Sequence, residues 1–144
     1  IAGAGLSLTR RTRGDAPGGE VFLADTLGEL GTWYALSDIV FLGGSLRLIG
    51  GHNPYEVAQS GASVLSGTHV ANFAETFAEM ETLGSAQMIA DTQDLATRVG
   101  HLLDDQTAQA AARKAAQNFT TQQTDKLDSI AARLIRALEL DQRD

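Results

Sequence analysis

The sequence predicts an α/β fold: a Rossmann-like parallel sheet flanked by helices. Two observations carry that expectation. Short β-rich runs alternate with helical patterns through the first hundred residues, as in βαβ units. The strongest run, "DIVFLGG" at residues 38 to 44, is continuously apolar from Ile39 up to its glycines, which predicts a strand buried on both faces. At 144 residues and 43% apolar content, one domain with a core is expected.

The elements follow in order. "GLSLTRR" alternates apolar and polar residues and predicts a first strand, broken by the Pro and Gly of "TRGDAPGG". "EVFLA", from Glu20 to Ala24, predicts a second strand. A helix is expected from Leu27 to about Ser37, with Leu30, Trp33, Tyr34 and Ser37 on its packing face. After "DIVFLGG" come a helix over 54 to 60, the strand "ASVLSG", a helix from Phe73 to Leu83, the strand "SAQMIA" and a helix from Thr92 to Leu103. From Asp104 to the end the pattern is helical, with a break expected at "NFTTQQT". Before the break Ala108, Ala111, Ala112, Ala115 and Phe119 share a face; beyond it Leu127, Ile130, Ala131, Leu134, Ile135 and Leu138 form a stronger one.

Composition excludes some chemistry. A formal net charge of -7 argues against a nucleic-acid partner, and zero cysteines exclude disulfides and thiolate metal sites. His52, His69 and His101 lack metal-ligand spacing, and no Gly-x-Ser-x-Gly elbow is present. No apolar run approaches a membrane span. The chain opens on "IAGAGLSL" without Met, which reads as a piece of a larger protein.

Three predicted helices open alike. Thr26-x-x-Glu29, Asn53-x-x-Glu56 and Asn72-x-x-Glu75 each fit a capping box, and Pro54 suits a first helical position. In one parallel sheet all three starts face its carboxyl edge, where open α/β sheets bind ligands. Around Asn53 the structural reading has competition. Gly43, Gly44, Gly50 and Gly51 strip side chains from the approach to that helix, and bare N–H groups at a helix start attract an anion. The spacing matches neither a Walker loop nor the dinucleotide fingerprint. Arg10, Arg11 and Arg13 form a basic cluster that reads either as a solvated loop or as a phosphate or carboxylate contact.

Residues 21 to 75 resemble the 3-deoxy-D-manno-octulosonic acid (Kdo) transferases of Gram-negative bacteria. Four motifs carry the resemblance, in the family's order: Asp-Thr-x-Gly-Glu-Leu at 25 to 30, Phe-x-Gly-Gly-Ser at 41 to 45, Gly-Gly-His-Asn-Pro-x-Glu at 50 to 56, and Gly-x-His-x-x-Asn-Phe at 67 to 73. Tyr55 stands where the family usually has Leu, and Thr68 where it often has Pro. The resemblance implies the C-terminal, donor-binding half of a GT-B glycosyltransferase, without the first βα unit of that domain and without the N-terminal acceptor domain. It implies inverting transfer of Kdo from CMP-Kdo to a lipid A precursor, no cofactor and no metal. It also implies a cytoplasmic site on the bacterial inner membrane, reached through the full-length protein.

On this reading Gly50, Gly51 and the amides around His52 and Asn53 cradle the phosphate, and Glu56 accepts hydrogen bonds from the ribose. Ser45 and the Gly43-Gly44 turn shape the pocket floor. Asp25, Thr26, Gly28, Glu29, His69 and Asn72 are further lining, with the Asp25 to Glu29 loop flanking the cytidine. The alternatives are a nucleotide-sugar epimerase of the same architecture and a non-catalytic Rossmann-like binding module. Because the resemblance places the catalytic base in the acceptor domain, this chain alone should show no transferase activity. Kdo transfer to a lipid A precursor by the purified chain would overturn the domain assignment.

Overall fold

A computed structural model describes residues 2–138; the expected helical tail over 139–144 lies outside them. The chain divides into a first unit ending at Trp33 and a second beginning at Tyr34.

The first unit is small. Strands β1 (Leu8–Arg10) and β2 (Val21–Leu23) pair in parallel, Leu8 opposite Val21. A single 3-10 turn, Arg11–Arg13, follows β1. Helix α1 (Leu30–Ala35) spans the unit boundary and starts three residues later than the sequence pattern predicts. The reason is at Thr26. Its hydroxyl bonds the Glu29 carboxylate instead of a backbone amide, while the amides of Thr32 and Trp33 bond the Glu29 carbonyl. Leu27 is left fully exposed and Leu30 half exposed. The Phe22 and Trp33 rings meet with centroids 5.1 Å apart.

The second unit carries β3 (Ile39–Leu42), α2 (Tyr55–Ser60), β4 (Ser63–Gly67), α3 (Ala74–Thr82), β5 (Ala86–Ile89), α4 (Thr92–Asp104) and α5 (Gln106–Ala137). Its strands form a parallel sheet in the order β3-β4-β5. Among the described residues β2 pairs with β1 and not with β3, so two parallel sheets replace the single expected one. The burial expected of "DIVFLGG" belongs to the next strand. β4 lies in the middle and is buried throughout, whereas β3 is an edge strand whose Ile39, Val40 and Phe41 are half-buried.

Alternation along β4 builds two cores. Val64 faces one formed with Val57, Phe77, Met80 and Phe119, and Leu65 faces another with Ile89 and Leu102. Helices therefore cover both faces of the sheet, as a parallel sheet requires. α5 serves both cores, Ala108 and Ala112 packing against the second and Ala116 and Phe119 belonging to the first. Between them Arg113 binds Asp38 at 2.6 Å and the Gly61 carbonyl at 2.8 Å. Those two residues precede β3 and β4, so α5 crosses the amino end of the sheet.

α5 runs unbroken through "NFTTQQT". The hydroxyls of Thr120 and Thr121 both donate to the Gln117 carbonyl, at 2.9 and 3.0 Å, and Thr124 donates to Thr120. Bonding back to the preceding turn accommodates these residues inside a helix. Beyond this point the apolar stripe from Leu127 to Leu138 is exposed. No helix of the described residues is long and apolar enough to cross a membrane.

The two halves of α5 should therefore respond differently to truncation. Phe119→Ala, at a site 1% exposed, should cost about 3–5 kcal/mol in urea unfolding. Leu134→Ala, at a site 55% exposed, should change stability by less than about 0.5 kcal/mol. Equal losses would show that the distal stripe is packed.

Candidate functional site

Parallel register puts the ends of β3 and β4 side by side, Leu42 opposite Ser66. Two loops leave that carboxyl edge together, residues 43–54 and 68–73. Their backbones interlock. The His69 amide donates to the Ser45 carbonyl at 2.9 Å and the Asn72 amide to the Gly50 carbonyl at 3.3 Å, while within the first loop the Gly51 amide donates to the Gly44 carbonyl at 3.3 Å. Glycine makes this possible at two positions above all. Gly51 has φ +75°, and a Cβ there would press on Val70 at 3.0 Å. Gly67, which ends β4, lies so close to Ser45 that a Cβ would overlap its carbonyl and stand 2.7 Å from the Leu46 nitrogen.

Between the loops lies a groove of about 460 Å³, lined by Leu48, Ile49, Gly50, Thr68, His69 and Asn72 among others. Of the residues singled out from the sequence, Gly50, His69 and Asn72 line it directly. Gly43, Gly44, Gly51, His52 and Asn53 belong to the same loop but outside the lining, and Gly44 sits against the His52 ring. Ser45 is fully buried and lies beneath the surface of this edge.

The capping boxes do not form. The side-chain oxygen of Asn53 accepts from the Tyr55 amide at 3.0 Å, a local turn just ahead of α2, whose N-cap position is Pro54. Glu56 does not reach back to Asn53: its side chain is exposed and makes no hydrogen bond among the described residues. Asn72 sits inside a 3-10 turn, Ala71–Phe73, and α3 has no side-chain cap. The helices with true acidic caps are α4 and α5, through Asp91 and Asp105. The amides of His52 and Asn53 are left without acceptors among the described residues. Arg47, exposed on the same loop, makes no ion pair among them.

In the first unit Asp25, Thr26 and Glu29 are already engaged, while Gly28 occupies an exposed left-handed turn at φ +82°. Arg10 pairs with Asp25, and Arg11 grips Glu29 through Nη2 at 2.6 Å and Nε at 3.1 Å. The basic cluster thus makes its carboxylate contact inside the chain, with Asp25 and Glu29. Partial burial pushes the Asp25 carboxyl up, but hydrogen bonds from Arg10 and Thr12 outweigh it and hold the group at about 2. Hydrogen bonds from Arg11 and Thr26, against partial burial, hold Glu29 at about 2 as well.

As site residues, sequence reasoning overlooked Leu48 and Ile49, and it met Gly67 and Thr68 only within the motif at 67 to 73. A signal was present for Gly67, since a glycine closing an apolar strand marks close backbone approach. None was present for the apolar loop tip, because exposure of Leu48 and Ile49 is decided by how the loop folds.

No family model matches the chain. It is similar to the 3-deoxy-D-manno-octulosonic acid transferase of Bordetella pertussis, 32% identical over 83% of this chain and 29% of that protein. It is 39% identical to the enzyme of the same name from Haemophilus influenzae, over 55% of this chain and 18% of that one. The chain therefore spans less than a third of the length of these relatives. Its structure is similar to the crystal structure of the C-terminal CMP-Kdo binding domain of WaaA from Acinetobacter baumannii. The TM-score is 0.78 with 29% identity, over 82% of this chain and 63% of that one. The resemblance read from the motifs is borne out, and so is the α/β fold with parallel strands flanked by helices.

Both depressed carboxyls make one pH prediction. A carboxylate with a lowered folded value contributes stability above its unfolded value, near 4, and loses it as pH falls through the folded value. The Thr12 amide, which donates to Asp25 at 3.0 Å, should hold its NMR shift at pH 4 and titrate with a midpoint near 2. A midpoint at the ordinary carboxylate value would show that the Arg10–Asp25 pair does not form in solution.

Proposed function

We propose that this Kdo transferase relative holds the donor, CMP-Kdo, of an inverting glycosyl transfer to a lipid A precursor. The observation that carries the reading is that the amides of His52 and Asn53 and, three residues on, the Glu56 carboxylate have no hydrogen-bond partner among the described residues. They stand at the carboxyl edge of a parallel sheet, within Gly-Gly-His-Asn-Pro-x-Glu. Similarity to a domain described as CMP-Kdo binding supports the choice of ligand.

In the proposed reaction an acceptor hydroxyl oxygen bonds to the anomeric carbon of Kdo. The bond from that carbon to the phosphate oxygen breaks, and its electron pair leaves with CMP. Negative charge grows on the phosphate, so donors already fixed in place stabilise the transition state without reorganising. The amides of His52 and Asn53, with Gly50 and Gly51 leaving room for close approach, supply that function. α2 has only six residues, so local hydrogen bonds carry more of the effect than its macrodipole. Glu56 accepts from the ribose hydroxyls, and His69 and Asn72 line the groove beside the nucleotide.

Asp25 and Glu29 are assigned to the Arg10 and Arg11 pairs and not to the cytidine. The acceptor and the base that takes its proton are assigned to the part of the relatives' length that this chain does not span. The proposed location is the cytoplasmic face of the bacterial inner membrane, with membrane contact through the full-length protein.

Titration of the chain with CMP should shift the amides of Gly50 to Glu56 first in NMR spectra. Glu56→Gln should weaken binding about ten- to hundredfold, the equivalent of losing a hydrogen bond to a charged group at about 1.5–3 kcal/mol. Its thermal midpoint should stay near wild type, because Glu56 is exposed and its side chain makes no hydrogen bond or ion pair among the described residues. Glu75→Gln, at an equally exposed position in the first turn of α3, is the control and should leave CMP affinity unchanged. CMP shifts confined to α4 and α5, or equal affinities for the two variants, would reject this site.

A further inference from the structure

Ser45 was expected as part of the pocket floor, yet its side chain has little left to offer a ligand. A serine hydroxyl has one proton to donate. At Ser45 that proton goes to the Leu42 carbonyl at 2.6 Å, and the oxygen accepts from the Gly67 amide at 2.8 Å. The residue is 0% exposed. Its own carbonyl takes the His69 amide at 2.9 Å. One side chain and one peptide unit thus join the end of β3, the end of β4 and the loop that carries His69 and Asn72.

We propose that Ser45 is a positioning residue for the donor site. Its buried hydroxyl latches the loop beginning at Gly67 to the Gly43-Gly44 turn, and so sets the width of the groove, without touching the ligand. The proposal rests on the donor-site reading above for its ligand, while the latch itself rests on the hydrogen bonds alone. Gly67 is the other half of the device, since a side chain there would force Ser45 and Leu46 away.

A buried serine at the other end of the sheet, just before β5, separates positioning from ordinary stability. Ser85 is 1% exposed and its hydroxyl donates to the Met80 carbonyl at 2.9 Å. It closes the turn before β5, at the amino edge, away from the groove. Ser45→Ala and Ser85→Ala each remove a buried hydroxyl, but only the first removes the latch.

The experiment measures amide hydrogen exchange and CMP affinity by NMR in wild type and both variants. Ser45→Ala should speed exchange at Gly67 and His69 and weaken CMP binding, each by at least about tenfold, the scale of a lost buried hydrogen bond. Ser85→Ala should leave both readouts at wild-type values even where its thermal midpoint falls. Ser45→Cys, which keeps a weak donor and acceptor in similar volume, should recover part of the affinity, and it carries the comparison if Ser45→Ala does not fold. Unchanged exchange at Gly67 and His69 would overturn the latch. Equal CMP affinities for the Ser45 and Ser85 variants would overturn its role in binding. If wild-type chain binds CMP away from residues 43–72, the donor-site reading falls and so does the binding role, while the exchange rates still decide the latch.

Discussion

The close approach of Gly67 to Ser45 is the constraint on which the carboxyl edge of the second unit depends. Parallel pairing places the ends of β3 and β4 side by side, and the chain must then diverge into two loops without leaving buried backbone groups unpaired. Gly67 removes the side chain that would hold the loops apart, and Ser45 supplies bonds to both strands at once. The groups proposed for binding lie on the loops this junction holds, except Glu56, which stands in the first turn of α2 just after the first loop. The cores beneath are organised by the same strand, since β4 sends Val64 to one face and Leu65 to the other.

Charge is distributed in a way that suits an anion site on an acidic chain. The net charge is -7, yet the cations with clear roles are already used. Arg10 and Arg11 neutralise Asp25 and Glu29, Arg113 ties α5 to Asp38, and Lys126 joins Glu79 at 2.8 Å. What the glycine-rich loop offers is backbone, with the exposed Arg47 as its one charged side chain. Amides cannot be titrated away and cost little conformational entropy to aim once the loop is fixed. Glu56 fits the same logic: a carboxylate that made a capping box would be spent on its own helix, and the open geometry leaves it available.

The helix starts show where local rules were outvoted. Thr26, Asn53 and Asn72 share one pattern but behave in three ways. Asn53 closes a turn on the Tyr55 amide while Pro54, its φ of -80° already close to helical, takes the N-cap position and directs the chain into α2. Thr26 turns to Glu29 because Arg11 has drawn that carboxylate into a cluster, and Asn72 is pulled into a 3-10 turn by its amide bond to Gly50. Each competing partner is distant in sequence, or its pull depends on one that is. The break predicted in α5 failed for the opposite reason, since the threonines there found acceptors one turn back, within the helix itself.

Sequence alone determined the order and type of the strands and helices of the second unit as far as α5, whose expected break did not form, because apolar periodicity is a local record of which face will be buried. It also identified the glycine loop and the family resemblance, because unusual backbone requires particular residues at fixed spacing. Tertiary structure decided that the strands form two sheets, that "SVLSG" rather than "IVFL" is the central strand, and that Asp25 and Glu29 are engaged by arginines. It alone decided that Ser45 is a buried tie, because whether a hydroxyl meets a ligand or a carbonyl depends on what another strand brings to it.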